Sequence, residues 1–497
     1  MKSLYSVAEI RSIEHTMAAT LPGGTLMRRA GEAATSAARD MLAGRKVLLL
    51  AGPGNNGGDA LEVAANLAGA DTDLDADVTV LYLPGAMAPS AETAQALVRA
   101  RASKAHFVDT LPLGRDWGLI VDGLFGIGLE RPLAGEMRAL VETINALGRP
   151  VLALDVPSGL DADTGAVIGP DGVAIRATRT ITFIGDKPGL HTCEGRDYAG
   201  QVQVAPLGID PGQRPHAGAQ LNEAVLFARH LAPRRHNSHK GSFGDVAVIG
   251  GAKGMAGAPL LAARGALYCG AGRVFVAAID PVAAVDFAQP EIMMRNAQDF
   301  DGGDATLVIG PGMGDSASAM RVLSKALDGT APLVLDADAL NLIAASPELQ
   351  GRLAQRGAET ILTPHPLEAA RLLGVTSAVV QGDRLAAARE LASRLNAVVV
   401  LKGSGSVIAN AIGAVVINPT GNAGLATAGS GDVLAGICGS LLAQGWQTWE
   451  AALGAVWVHG AAADRLVAHG SGPIGLTAGE LPVAARAVLN ALARQEP

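Results

Sequence analysis

Apolar residues come in short unbroken runs at 46–50, 78–83, 119–122 and 151–155, and stretches with helical spacing separate them, such as the alanine-rich segment 61–68. Continuously apolar runs of strand length, rather than alternating ones, predict a parallel sheet covered by helices on both faces. Between about residues 209 and 222 the periodicity disappears and Asp210, Pro211, Gly212, Pro215 and Gly218 collect. A boundary between domains is expected there. The alternation then restarts at 246–249, 273–278, 307–309, 333–335, 360–362 and 398–401. A short hairpin is expected at 407–409 and 414–417, and the chain from Asp432 onward reads as nearly all helix. The expected organisation is α/β with two domains, 1–212 and 225–497, joined by a linker at 213–224. The first reads as a Rossmann-like doubly wound sheet, the second as a larger α/β domain.

Length and composition agree, since 497 residues with 49% hydrophobic and 17% charged side chains suffice for about two or three full cores. A net charge of -8 argues against nucleic acid and anionic membrane surfaces, which are bound through clustered lysine and arginine. The one basic cluster, Arg234 and Arg235 ahead of His236, His239 and Lys240, reads as a solvated domain entrance. Cys193, Cys269 and Cys438 are too far apart and too few for a disulfide framework or a zinc site. Charged residues interrupt the N-terminal segment and every long apolar stretch, so neither a signal peptide nor a membrane span is expected and the cytoplasm is the expected compartment.

Strand ends carry the chemistry. Gly52-Pro53-Gly54-Asn55-Asn56-Gly57 satisfies the spacing of the dinucleotide fingerprint, but Asp59, expected in the first helical turn, would repel a pyrophosphate there. Asn55, Asn56 and Asp59 suit a hydroxyl-bearing or cationic ligand better. Asp122 and the Asp155-Val156-Pro157-Ser158-Gly159 segment mark two further strand ends. Asn56, Asp122 and Ser158 offer oxygen donors with one negative charge among them, which suits a monovalent cation.

With Asn55-Asn56-Gly57-Gly58-Asp59, Asp122-Gly123-Leu124-Phe125-Gly126 and Asp155 to Gly159 taken together, residues 1–211 resemble the NAD(P)H-hydrate epimerase domain. The resemblance implies that Asn55, Asn56, Gly57, Gly58 and Asp59, the loop Gly126, Ile127, Gly128, Leu129, Glu130, Arg131 and Pro132, and Asp155 contact a hydrated nicotinamide nucleotide. It also implies potassium on Asn56, Asp122 and Ser158. Exchange of hydroxyl configuration needs a proton shuttle, for which Asp155 is the first candidate and Lys187 the second.

In the second half, Gly254-Met255-Ala256-Gly257-Ala258 admits a ligand close to backbone, and His365 is held between Pro364 and Pro366. Lys402-Gly403-Ser404-Gly405-Ser406 supplies a cation beside consecutive amides, a nest for phosphate, although it is not a Walker A loop. Ala428-Gly429-Ser430-Gly431-Asp432 opens a helix whose amides can hold an anion while Asp432 takes a proton from an attacking hydroxyl. This arrangement resembles the ribokinase-type fold. With Gly310-Pro311-Gly312-Met313-Gly314 and Asn418-Pro419-Thr420-Gly421-Asn422, residues 221–497 resemble its ADP-dependent NAD(P)H-hydrate dehydratase branch.

That resemblance implies that Ala258, Gly312, His365 and Asp432 meet the hydrated nucleotide and that Lys402 to Ser406 and Gly431 meet ADP or AMP. Phosphate from ADP would activate the hydroxyl for elimination, with magnesium on the phosphates. The chain departs from the family pattern at Ala423, Leu425, Ala428 and Ser430; Ala428 puts a methyl group where glycine would be free to take positive dihedrals. The implied enzyme acts on hydrated NADH and NADPH as isomerase and lyase, and a homo-oligomer is expected. Two rivals are a small-molecule kinase of the ribokinase type with an attached nucleotide-binding domain, and a first domain that only binds.

Overall fold

The computed structural model describes residues 2–494 except 45, 70–75, 113, 211, 213–216 and 281–283. Much of the expected linker's first half therefore lies outside the described residues. The chain divides into two compact units, Lys2–Ala219 and Gln220–Pro497. No helix among the described residues is long and apolar enough to cross a membrane.

The first unit is built on seven strands, β1 (Lys46–Ala51), β2 (Asp77–Tyr82), β3 (His106–Val108), β4 (Leu119–Gly123), β5 (Val151–Leu154), β6 (Arg179–Phe183) and β7 (Gln201–Ala205). All pair in parallel, in the order β3-β2-β1-β4-β5-β6-β7. Successive side chains of a strand point to opposite faces, and β1 feeds both cores this way. Val47 and Leu49 join the core under helices α1 (Val7–Ala18), α2 (Thr25–Met41), α3 (Asn55–Leu67) and α4 (Ala91–Ala102), while Leu48 and Leu50 join Trp117, Ile120, Val141 and Ile144 beneath α5 (Gly135–Ala146). Strand order reverses between β1 and β4, so the crevice for a ligand opens where these two strands end.

The turn leaving β1 is tight because chain segments pass through it at backbone distance. A Cβ on Gly52 would lie 1.9 Å from the Leu124 carbonyl oxygen. Gly52→Ala is expected to cost about 3 kcal/mol of stability, as overpacking against an immovable backbone does, and a urea titration measures it.

The second unit adds β8 (Ala219–Leu221), β9 (Asp245–Gly250), β10 (Arg273–Ala278), β11 (Met293–Asn296), β12 (Thr306–Ile309), β13 (Leu333–Leu335), β14 (Thr360–Leu362), β15 (Val398–Leu401), β16 (Val407–Ala409) and β17 (Val415–Ile417). From one side the order runs β8-β17-β16-β15-β14-β13-β12-β9-β10-β11. Among the described pairings from β8 to β11, β15-β16 and β16-β17 are antiparallel, so the expected hairpin forms as part of the main sheet. Residues 219–221 fall inside the expected linker, yet they are a strand that pairs with β17. Helices Gly257–Tyr268, Ser430–Ala443 and Thr448–Ala468 pack in the core on one face of the sheet. Here the order reverses between β9 and β12, and the loops after those strands are tied by hydrogen bonds from the Gly251 and Ala252 amides to the Pro311 and Gly312 carbonyls, at 3.2 and 2.7 Å.

Candidate active sites

In the first unit, helix α3 begins at Asn55, with Gly54 as its cap. Asp59 thus stands one turn deeper than the glycine spacing suggested, because both asparagines and both glycines after them already have helical backbone. Asn56, in that first turn, is buried, and neither amide atom of its side chain has a hydrogen-bond partner. Close by, the Ser158 hydroxyl donates to Asp122 Oδ1 at 2.6 Å and accepts from the Phe125 amide at 2.9 Å, while the Ser158 amide donates to Asp122 Oδ2 at 2.8 Å. Burial pushes the Asp122 carboxyl up to about 6, against the hydrogen bonds from Ser158 that pull it down. A Cβ on Gly126 would sit 3.4 Å from the Asn56 amide carbon and 3.3 Å from Asp155 Oδ2, so both groups meet beside this loop.

Asp155 follows β5 in the left-handed region, at φ 64°, where aspartate is tolerated better than most residues. Its Oδ1 accepts from Lys187 Nζ at 2.5 Å, and the same ammonium donates to Thr182 Oγ1 at 2.7 Å and the Phe183 carbonyl at 2.8 Å. Lys187 is fully buried and Asp155 is reachable from solvent, so the pair presents an acid/base group to the crevice and keeps its counter-ion inside. Of the loop expected to touch substrate, Gly126 lies at Asp155, whereas Glu130, Arg131 and Pro132 are exposed.

In the second unit the predicted residues gather at the ends of parallel strands. Gly429, at φ 88°, caps the helix Ser430–Ala443 and places Asp432 in its first turn. The left-handed residue is therefore Gly429, and Ala428 is not among those with positive φ, so its methyl group costs the turn nothing. Lys402, after β15, donates to Asp336 Oδ1 at 2.6 Å and lies 3.9 Å from Glu368 Oε2. A Cβ on Gly431 would be 3.3 Å from Lys402 Nζ, which puts the ammonium at the mouth of the helix amides. Burial lowers the Lys402 ammonium's pKa, but Asp336 and Glu368 more than offset it, and the group stays a cation. Burial and then Asp336 push the Asp432 carboxyl up to about 7, with Lys402 opposing.

His365 caps the helix Pro366–Leu373, its Nδ1 accepting from the Glu368 amide at 3.0 Å, and its ring is half exposed. Ala258 and Gly312 face each other across the strand-order reversal, 3.3 Å from Cβ to Cβ were one added at Gly312. Two carboxylates were not anticipated, Asp336 and Glu368. Asp336 ends β13 as Asp122 ends β4, and the same strand-end rule would have found it. Glu368 carries a capping-box pattern that reads as purely structural. His459 was also missed: it is buried on the helix Thr448–Ala468, Nε2 has no partner, and burial lowers its pKa to about 4.

An open parallel sheet with a lysine-backed carboxylate at the end of β5, and a second α/β body with a lysine and an aspartate at a glycine-rich helix start, have the form of a two-site enzyme. Family models match both halves, "YjeF-related protein N-terminus" over residues 23–189 and "NAD(P)H-hydrate dehydratase" over 246–481. The chain is 39% identical to the bifunctional NAD(P)H-hydrate repair enzyme of Coxiella burnetii, over 99% of this chain and all of that one, and 39% identical to the enzyme of that name in Escherichia coli, over 89% and 85%. Among solved structures, the ADP/ATP-dependent NAD(P)H-hydrate dehydratase of Bacillus subtilis, co-crystallized with ATP and magnesium, is 31% identical, covering 55% of this chain and 98% of that one with a TM-score of 0.48. The chain belongs to the bifunctional NAD(P)H-hydrate repair enzymes.

Proposed function

We propose that the first unit interconverts the R and S forms of hydrated NADH and NADPH, and that the second dehydrates the S form at the expense of ADP, giving AMP and phosphate. The observation that carries the reading is the placement of Asp432, Gly431 and Lys402 at one helix start. Asp432 takes the proton of the ring hydroxyl as that oxygen attacks the terminal phosphorus of ADP, and Lys402 and the helix amides receive the charge on the phosphates. The carbon–oxygen bond to the new phosphate then breaks as a proton leaves the neighbouring carbon, and the ring double bond returns. Asp336 and Glu368 offer the oxygen donors a hard cation takes and would hold magnesium alongside the phosphates, where it neutralises charge.

In the first unit Asp155 moves the proton and Lys187 holds its carboxyl in place. Potassium fits the unpartnered amide oxygen of Asn56, the Asp122 carboxylate and the Ser158 hydroxyl.

Reduced-nicotinamide absorbance after mixing the protein with both epimers, magnesium, potassium and ADP tests the whole reading. Full recovery is expected, and recovery that halts at the S fraction would remove the epimerase. A phosphorylated product that persists would make the second unit a kinase instead. Replacing potassium by choline is expected to slow only the second, epimer-limited phase, by about tenfold.

A further inference from the structure

Helices α1 and α2, the start of α3 and the end of β6 enclose a cavity of about 400 Å³ in the first unit. Leu21, Leu26, Met27 and Phe183 give it an apolar wall of the kind a ring packs on, and Glu14, Asp59 and Glu92 bring three carboxylates. Asp59 is 8% exposed and its carboxyl makes no hydrogen bond among the described residues. Burial raises its carboxyl well above the usual range, and Asp155, Glu14 and Glu92 add to the rise. Glu14 is raised as well, by burial and then by Asp155, with Lys187 and Arg11 opposing. Asp155 adjoins Phe183 of this wall, its Oδ1 accepting from the Phe183 amide at 3.3 Å.

The charges do not balance. Against the lining carboxylates Glu14, Asp59 and Glu92 stand Arg11 and the imidazole of His15, while Lys187 outside the lining is committed to Asp155. Carboxylates withdrawn from water beside other carboxylates favour whatever brings positive charge among them. The hydrated nicotinamide ring is neutral, so the match is to something it becomes.

We infer, on the epimerase reading above, that this cavity is built for the nicotinamide ring as a cation, with Glu14 as the carboxylate set against it. A carboxylic acid, for which Asp155 is placed, gives its proton to the ring hydroxyl. The carbon–oxygen bond breaks, water departs, and the lone pair of the ring nitrogen becomes a nitrogen–carbon double bond, leaving an iminium ion. Water then adds to the same carbon from the other face and returns the proton to the carboxylate. No outside reagent is needed, and the charge exists only between the two epimers, where an oriented carboxylate lowers the barrier.

The test compares oxidised and reduced NAD, which differ by one charge on the ring, by titration calorimetry on the full chain and its Glu14→Gln and Glu14→Asp variants. The unaltered chain is expected to bind the oxidised form about tenfold more tightly, a ratio that falls to roughly threefold or less in Glu14→Gln and persists in Glu14→Asp. The second unit contributes equally to all three proteins, so the change in ratio reports the first. For R to S conversion without ADP, Glu14→Gln is expected to lose about 100-fold in kcat with KM altered less than about threefold. A ratio that Glu14→Gln leaves unchanged overturns the inference, even when both affinities fall, since a collapsed cavity would weaken both forms alike. A chain with no preference for the oxidised form overturns it too. Ring-charge preference that depends on Glu14 in a chain that cannot interconvert the epimers would support the charge assignment and overturn the epimerase reading.

Discussion

Asp432→Asn is expected to lower the dehydration rate of the S form by roughly 10²- to 10⁴-fold, the range a positioned general base contributes, while R and S still interconvert at the parent rate. Stopped assays on the separated epimers measure both. The carboxyl sits at about 7, so dehydration by the parent is expected to fall off as pH drops through that value and the base takes up its proton. The variant loses this limb of the profile. Stability separates loss of chemistry from loss of fold. Folded Asp432 keeps its proton up to about 7, whereas in the unfolded chain it is released near pH 4. Ionisation therefore takes stability away as pH rises across that window, and asparagine, which cannot ionise, escapes the loss. At pH 8 the variant is expected to melt higher than the parent. A variant that dehydrates normally would remove Asp432 from the reaction.

The second large effect belongs to Asp155→Asn, which is expected to slow epimerisation at least about 100-fold and leave dehydration of the S form intact. Asparagine is at home in left-handed backbone, so the turn at φ 64° is kept and the loss reports charge. Lys187, fully buried, would keep Thr182 and Phe183 as partners but lose the Asp155 carboxylate. An uncompensated buried ammonium is expensive, and a stability loss of about 3 kcal/mol is expected by urea titration. The Lys187→Met, Asp155→Asn double variant is expected to recover most of that stability and none of the epimerisation. Recovered activity in the double variant would show that the pair serves the fold alone.

Asp155 and Lys402 were legible in the sequence because a parallel sheet declares the end where ligands collect, and Asp432 because a glycine-rich turn opens its helix. Where an apolar run stops at a charged residue, as at Leu154-Asp155 or Leu401-Lys402, the side chain stands at the edge where ligands collect. Central strands were legible for the same reason, their unbroken apolar runs being buried on both faces. Edge strands were not. Gln201–Ala205 and Met293–Asn296 are partly exposed and mix polar with apolar residues, which gives no run to see. Glu14 left no trace either, since a glutamate on an amphipathic helix looks solvated until the tertiary fold closes a cavity over it. Asp59 was misplaced by one turn because glycine and asparagine usually end or precede helices, whereas here the helix already begins at Asn55.

The strand Ala219–Leu221 decides where this polypeptide can be cut in two. Val416 and Ile417 of β17 take Gln220 and Leu221 as their sheet partners, and the Asn222 amide holds the Asn418 side chain and the Leu453 carbonyl at 3.0 and 2.9 Å. A dehydratase half begun at residue 225 would expose β17 as a bare edge and strip Asn418 of a buried partner just ahead of the loop that carries Thr420 and Gly421. The shortest self-sufficient second half therefore begins ahead of Ala219, inside the stretch whose composition looks most dispensable.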